Sequence, residues 1–573
     1  MKNKIKWISA SIAILALLPA GCDAPEKPEA PLTTDVEVVW PSVDVSRFRN
    51  EAVEQRVEGI LARMTIEEKV GQIIQADSAT VTPEDVQKYN LGSILSGGNS
   101  APGDLPYATV DQWVTAADAY FEASIDDSDG GVSIPLIWGI DAVHGHNNVI
   151  GGTVFPHNVG LGAMNNPELV RKISAITARE LRVTGHDWTF APTLAVPRDN
   201  RWGRAYEGFS ETPEIVEKYA RPIVEGTQGI FGQDGFLGED KIIASAKHFI
   251  ADGGTKNGVD QGDAQISEEE LRDVHGTPYI EAIDAGVQSI MASFSSWNGR
   301  KIHGHEGLLN GILKTKIGFD GFVVGDWNAH GQVEGCTNES CAQAINAGLD
   351  MFMAPDSWKG LYENTLAQAR AGEIKPERLD DAVRRILRVK VRSGLFEEQK
   401  PSKRRWAGDE TLLGAPEHRS IARQAVRQSL VMLKNNNGVL PLTPKQRVLV
   451  VGEKANSVSS QAGGWTLTWQ GGGLDNSLFP NSDTILAGIR GAVEQAGGEV
   501  EYSVDGSYTH KPDVAVVVFG EVPYAEFQGD VSTLLFEDKA VLEQLQNLKA
   551  QGIKTVSVFT SGRPMWVNPL LNV

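Results

Sequence analysis

The chain has 573 residues, 41% of them hydrophobic and 22% charged, enough for more than one domain and a sizeable core. Its formal net charge of −21 argues against nucleic acid and anionic membrane surfaces as partners, since both call for basic patches. A soluble protein acting on a neutral or cationic ligand fits this balance.

The N-terminus carries Lys2, Lys4 and Lys6, then an apolar stretch from Ile8 to Leu18. Basic residues followed by a short apolar run are the layout of a secretory signal peptide, expected over residues 1–21. The run is short for a membrane-spanning helix. Small residues lead to Cys22, which suggests a bacterial lipoprotein acylated there; Pro19 is unusual for that signal, and plain secretion is the alternative. The proline-rich stretch after Cys22 reads as a tether over 22–45. The expected location is outside the cytoplasm, in the periplasm or cell envelope of a bacterium.

From residue 46 onward, short apolar runs alternate with longer amphipathic stretches. Eight runs stand out: Gln72–Ala76, Gly92–Leu95, Pro135–Ile140, Trp188–Val196, Ile242–His248, Ser289–Phe294, Gly321–Gly325 and Leu349–Met353. Helical patterns separate most of them, as at Pro167–Arg182, Glu268–Ala285 and Ser340–Ala347. Eight strand–helix units predict a (β/α)8 barrel over 46–395, with a large doubly wound sheet as the alternative. Residues 396–416 read as a linker. A helix is expected from His418 to Lys434, then strands at Val448–Gly452, Val514–Gly520 and Val556–Thr560 with a helix at Asp538–Gln551. This predicts a second α/β sandwich domain over 417–573. Few strands remain to fill its sheet before Val573, so the domain is expected to be incomplete at its C-terminus.

Several barrel strands end in polar residues: Asp141, Lys247 with His248, Trp297 with Asn298, and Asp326. In a parallel barrel the C-terminal strand ends carry the chemistry. The most pointed case is Gly321-Phe322-Val323-Val324-Gly325, which delivers Asp326 and then Trp327. A buried strand has little reason to end in a carboxylate unless that end is functional. A carboxylate beside an indole suits a sugar ring, the acid facing the anomeric carbon and the indole stacking on the C–H face. Asp141 suits bidentate acceptance from hydroxyls, or a loop cap. Arg204 could bind ring hydroxyls or pair with Glu207; the two are compatible. Lys247 and His248 are adjacent, so both reach one ligand only if the strand bulges.

Glycoside hydrolysis uses two carboxylates flanking the scissile bond. The second domain offers a partner in Gly520–Asp530, which follows an apolar strand and holds Glu521, Glu526 and Asp530. The glycine-rich stretch 463–472 adds Trp465 and Trp469, either a sugar-binding face or a small core. His144 and His146 form an H-x-H pattern, which opens a metal-dependent hydrolase as a further alternative, although a zinc site needs more ligands. Cys336 and Cys341 are expected to form a loop disulfide in an exported protein.

Trp-Gly-Arg at 202–204, Lys-His-Phe at 247–249, Gly-Phe-Val-Val-Gly-Asp-Trp at 321–327, Gly-Gly-Trp at 463–465 and the Gly520–Asp530 loop, in that order, resemble glycoside hydrolase family 3. The branch is that of exo-acting β-glucosidases and β-glucan glucohydrolases. The resemblance implies a barrel followed by an α/β sandwich with the active site between them. It implies Asp326 as the nucleophile and Glu526 as the acid/base, with Glu521 as the second candidate. Asp141, Arg204, Lys247 and His248 would hold the terminal non-reducing sugar, and Trp327 and Trp469 would clamp the next one. The outcome would be retention, with carboxyls roughly 5–5.5 Å apart, and no metal or organic cofactor. The expected substrate is a β-1,3- or β-1,4-glucan or its oligosaccharides, releasing glucose. A β-xylosidase of the same family and a glycan-binding lipoprotein without catalysis are the alternatives.

Three departures bear on this. Ile250-Ala251-Asp252-Gly253-Gly254 stands where the N-acetylglucosaminidase branch has Pro-Gly-His-Gly, which argues against amino-sugar substrates. Asn328 follows the Asp-Trp pair where plant relatives have an acid, and Gln261 stands at another acidic position. Both bear on linkage preference.

Overall fold

A computed structural model describes residues 38–573 except 106 and 129. The expected signal peptide, Cys22 and most of the expected tether lie outside the described residues. No helix among those described is long and apolar enough to cross a membrane.

Eight short strands form a parallel sheet: β1 (Ile74–Asp77), β2 (Ser93–Ser96), β3 (Ile137–Ile140), β4 (Trp188–Thr189), β5 (Ile243–Phe249), β6 (Ser289–Ala292), β7 (Phe322–Val324) and β8 (Phe352–Met353). They pair in the order β7-β6-β5-β4-β3-β2-β1-β8. A parallel bridge from Val324 to Met351 joins the two ends and closes the barrel. All eight expected strands are present, most within a few residues of their expected bounds. The largest difference is β4, which stops at Thr189 because Pro192 and Pro197 follow and withhold ladder donors.

The barrel is a packed core. Trp188 meets Phe190 and Phe322 edge to face, with ring centroids 4.8 and 5.2 Å apart. Gly139 on β3 makes room for this cluster, since a Cβ there would lie 2.5 Å from Phe190 Cζ. Burying one such aromatic side chain contributes about 1.5–3 kcal/mol. Helices enclose the sheet, several with capping boxes at their starts, as at Thr65, Thr82 and Thr109. The last of these helices, Pro376–Arg392, packs on the first, Glu51–Leu61, through the Arg388–Glu54 ion pair.

The segment after the barrel is irregular, as expected, but it is fastened down. Arg404 pairs with Asp187, and Ser402 donates to Asp118. His418 and Gly414 both reach the fully buried Glu180. The following helix runs from Pro416 to Ser429, not to Lys434. Leu430-Val431-Met432-Leu433 has no polar face for a helix to present, and it continues as exposed extended chain.

A second parallel sheet follows: β9 (Arg447–Val451), β10 (Glu499–Ser503), β11 (Val514–Gly520) and β12 (Lys554–Thr560), ordered β10-β9-β11-β12. Successive side chains point to opposite faces. Leu449, Val451, Ala515, Val517 and Phe519 pack under the helix Lys539–Ala550 through Val541, Leu545 and Leu548. Val448, Val450, Val514, Val516 and Val518 pack under Ile485–Gln495 through Leu486 and Val493. Burial on both faces explains the unbroken valine runs. Strand β10 is an edge, half-exposed and carrying Glu499 and Glu501, so it has no such run.

Candidate active site

The barrel's C-terminal strand ends bring Asp141, Lys247, His248 and Asp326 together; Trp297 and Asn298, expected with them, lie instead on a separate short hairpin beyond the barrel strand Ser289–Ala292. Asp326 follows β7, and its backbone N–H donates to His303 Nε2 at 3.0 Å. That contact leaves the ring hydrogen on Nδ1, which faces the Ser293 carbonyl at 3.0 Å. Asp326 Oδ1 accepts from the Trp327 N–H at 2.7 Å, and Oδ2 lies 3.8 Å from His248 Nε2. Burial raises the Asp326 carboxyl to about 6, against the opposing pull of Arg204 and Lys247.

Arg204 is the hub. Its Nε and Nη2 donate to Glu207 at 2.8 and 2.9 Å, Nη1 lies 3.3 Å from Glu526 Oε1, and Nη2 lies 3.1 Å from His248 Nε2. The ion pair with Glu207 is present, and the same guanidinium also reaches Glu526 and His248. Burial disfavours its charge, but Glu207 and Glu526 keep it protonated. A guanidinium only donates, so His248 Nε2 accepts and Nδ1 carries the hydrogen toward Asp252 Oδ2, 2.7 Å away. Burial and the neighbouring Arg204 and Lys247 push His248 well below its usual range, so the ring is neutral.

Lys247 is 2% exposed and reaches Asp141 Oδ1 at 2.8 Å. The pairing register shifts between Ala246 and Phe249, and with this irregularity Lys247 reaches Asp141 while its neighbour His248 faces Arg204 and Asp326. Asp141 crowds Gly97, where an added Cβ would come within 2.9 Å of the Asp141 Cβ. Gly97 also has φ +132°, so glycine is required there twice over.

The second sheet supplies Glu526, on the loop after β11. Its φ is +52°, a conformation that costs a non-glycine residue energy and tends to persist only where surroundings enforce it. The surroundings are explicit. Asp530 accepts from Gly203 N at 2.7 Å and Asp260 N at 2.8 Å. Arg563 donates to the carbonyls of Asn200, Arg201, Trp202 and Gly529, and lies over the Tyr524 ring at 4.3 Å. Tyr206 OH donates to the Tyr524 carbonyl. A Cβ on Gly203 would sit 1.9 Å from the Glu526 carbonyl oxygen, so Trp-Gly-Arg needs its glycine for close approach. Burial raises the Glu526 carboxyl to about 8; Arg204 opposes this, and Asp260, Asp326 and Glu207 add to it. Glu521 is engaged elsewhere, by Ser561 Oγ at 2.6 Å, Tyr524 OH at 3.1 Å and Arg563 at 3.3 Å.

The aromatic residues divide. Trp327 is 44% exposed beside Asp326. Trp469 is half-buried and meets Phe527 edge to face at 5.6 Å, and its backbone N–H donates to Asn99. Trp465 is 7% exposed and packs with Val143, Tyr206 and Ala525, so the small-core reading holds for it and the sugar-face reading does not. His144 and His146 do not converge. His144 bonds the Phe155 and Trp465 carbonyls, while His146 faces Thr184. Among the described residues no cluster of three or more His, Cys, Asp or Glu has the form of a metal site. Cys336 and Cys341 are disulfide-bonded.

Sequence reasoning does not find Arg563, the two-way clamp of Asp530, His303 or the Asp252 contact with His248. Arg563 has one signal: a cation three residues past the end of β12, directly before Pro564.

The N-terminal domain of glycosyl hydrolase family 3 matches residues 65–389, and the family's C-terminal domain matches 430–573. Among solved structures, an exo-1,3/1,4-β-glucanase from a Pseudoalteromonas species is 51% identical with a TM-score of 0.92, over 94% of this chain and 67% of that one. The lysosomal beta glucosidase of Dictyostelium discoideum is 31% identical over 556 residues, covering 90% of this chain and 66% of its own. The periplasmic beta-glucosidase of Salmonella typhimurium is 28% identical, over 90% and 68%. The chain thus spans about two thirds of the length of these relatives.

Proposed function

The chain belongs to glycosyl hydrolase family 3, and we propose that it is a retaining exo-acting β-glucosidase releasing glucose from the non-reducing ends of β-1,3- and β-1,4-glucans and their oligosaccharides. The carrying observation is Arg204, which touches Glu526 directly and meets, on the same guanidinium, the histidine facing Asp326. Two carboxyls from two sheets thereby share one buried cation, with proton affinities set apart at about 6 and about 8. That separation is what acid/base division between two carboxylates requires.

In this reading Asp326 attacks the anomeric carbon as Glu526 protonates the departing glycosidic oxygen, and the C1–O bond breaks. Glu526, now ionised, takes a proton from water. The resulting hydroxide equivalent attacks C1, and Asp326 leaves. Glu526 is favoured over Glu521 because Glu521 is saturated by Ser561, Tyr524 and Arg563. Asp141, Arg204, Lys247 and His248 offer both donors and acceptors to sugar hydroxyls, and Trp327 and Trp469 offer faces to the following unit. The division of labour is a barrel over 46–395, a linker over 396–416 and an α/β unit over 417–573 that brings the acid.

Product analysis on laminari- and cello-oligosaccharides tests the assignment. Glucose released first, one unit at a time, in the β-configuration, is expected. A strong preference for aryl xylosides would overturn the sugar, and binding of laminarin without release of glucose would overturn catalysis.

The same reading takes the N-terminus as an export signal with Cys22 as the acylated residue, supported by the basic–apolar–small layout before it. Radioactive palmitate is expected to label the protein expressed in a bacterium and to be lost in Cys22→Ser. Equal labelling of the two would reject this.

A further inference from the structure

Each of the two carboxyls in the steps above is followed directly by an exposed aromatic side chain: Asp326 by Trp327, and Glu526 by Phe527, which is 51% exposed. Phe527 has no part in those steps. A single exposed aromatic residue is ordinary on a protein surface. Phe527 is not single, since its ring meets that of Trp469 with centroids 5.6 Å apart and planes inclined at 61°.

The pair is built around the Glu526 backbone. The Gln470 side chain accepts from Ala525 N at 3.0 Å and donates to the Ala525 carbonyl at 3.3 Å. The residue after Trp469 is thereby tied to the residue before Glu526. Trp469 N donates to Asn99 Oδ1 at 3.1 Å, and the Trp469 carbonyl accepts from Trp465 N at 2.8 Å. Glu526–Gly529 is one short helical turn, and Asp530 N donates to the Phe527 carbonyl at 3.2 Å. None of these bonds depends on the phenyl group, so its loss leaves the loop's backbone contacts in place.

Burial gives the pocket its direction. Lys247, His248 and Arg204, at the end assigned to the terminal sugar, are buried, whereas Trp327 and Phe527 are exposed. The departing part of the substrate therefore lies toward the aromatic residues, across the oxygen that Glu526 protonates. Trp469 is half-buried against the barrel loop, where a Cβ on Gly98 would lie 3.5 Å from its own Cβ. Phe527 carries the apolar surface from Trp469 toward solvent. The spacing of the two rings is comparable to the advance of one pyranose along a β-glucan, and a phenyl ring offers a neutral sugar an apolar contact for its C–H groups.

We infer that Phe527 is a specificity-determining residue: with Trp469 it extends the aromatic surface from the first departing sugar to the second, so that the site favours glucan chains longer than a disaccharide. The inference rests on the exo-acting hydrolysis proposed above.

The test compares Phe527→Ala with the parent on laminaribiose and cellobiose, which carry one departing sugar, and on laminaritriose and cellotriose, which carry two. The readout is the ratio of kcat/KM for triose over biose from initial rates. Both substrates need the Glu526 proton, so a general disturbance of its loop cancels in the ratio. The parent ratio is expected to exceed one, and to fall by about tenfold in Phe527→Ala, the scale of one lost apolar ring contact. Phe527→Tyr, which keeps the ring, should hold the parent ratio. A parent ratio of one or less overturns the inference, as does a ratio that Phe527→Ala leaves in place while both rates fall, the mark of a structural role. If the parent releases no glucose from any of the four, the exo-hydrolysis reading fails and the inference with it. If the parent cleaves them and the ratio does not respond to Phe527→Ala, the inference alone is wrong.

Discussion

Asp326→Ala is expected to lower kcat/KM for an aryl β-glucoside by about 10⁴-fold or more, the loss typical of a removed nucleophile. Phe322, Val323 and Val324 are fully buried, so the chain emerges at one fixed point and direction. Gly325 N donates to the Met351 carbonyl across the barrel seam, and Asp326 N donates to His303. These are backbone contacts that alanine keeps, so the variant should fold. What is lost is a carboxylate that Arg204 and Lys247 favour in its ionised form against burial. Two neighbouring carboxylates are engaged otherwise, Asp141 with Lys247 and Glu207 with Arg204. Azide should enter the vacated space and yield α-glucosyl azide, a single inversion. Turnover within tenfold of the parent would sink the nucleophile assignment.

Glu526→Ala should produce a different pattern. With leaving groups that need a proton, kcat/KM should fall by about 10²–10⁴-fold. With 2,4-dinitrophenyl β-glucoside the first step should be nearly spared, and azide should give β-glucosyl azide. The parent pH profile of kcat/KM should be a bell. Asp326 must be ionised to attack, so activity is lost as pH falls through about 6. Glu526 must be protonated to act as acid, so activity is lost as pH rises through about 8. The Asp326 charge raises the proton affinity of Glu526, so the two limbs belong to the pair. Glu526→Ala should erase the basic limb and leave the acidic one. A basic limb unchanged in Glu526→Ala would reassign the acid, with Glu521→Ala the next variant to examine.

The barrel is legible in the sequence because each of its strands is buried on both faces and so reads as an apolar run. Strand β10 is not, because an edge strand carrying Glu499 and Glu501 has no such run. The helix at Pro416–Ser429 reads as too long because Leu430–Leu433 is apolar, and hydrophobicity alone does not distinguish a helical turn from extended chain. At the site, Asp326 announces itself by contrast with the strand before it. Arg204, Lys247 and His248 are visible as polar clusters at strand ends. Trp465 misleads because its glycine-rich neighbourhood looks exposed, whereas Tyr206 and Ala525 cover it. Asp530 and Arg563 are hidden for another reason. Their partners are backbone groups 327 and 361 residues away in sequence, and a carbonyl or an N–H leaves no mark on residue identity.

In the proposed reaction Asp326 forms a covalent bond to the sugar. The direct measurement is trapping with 2,4-dinitrophenyl 2-deoxy-2-fluoro-β-glucoside, which slows both steps but the second more, followed by peptic digestion and mass spectrometry. Time-dependent inactivation, a mass increase of one fluoroglucosyl unit, and fragmentation that puts it on Asp326 are expected. An adduct on another carboxylate, or complete inhibitor turnover without any adduct, would contradict the proposed reaction.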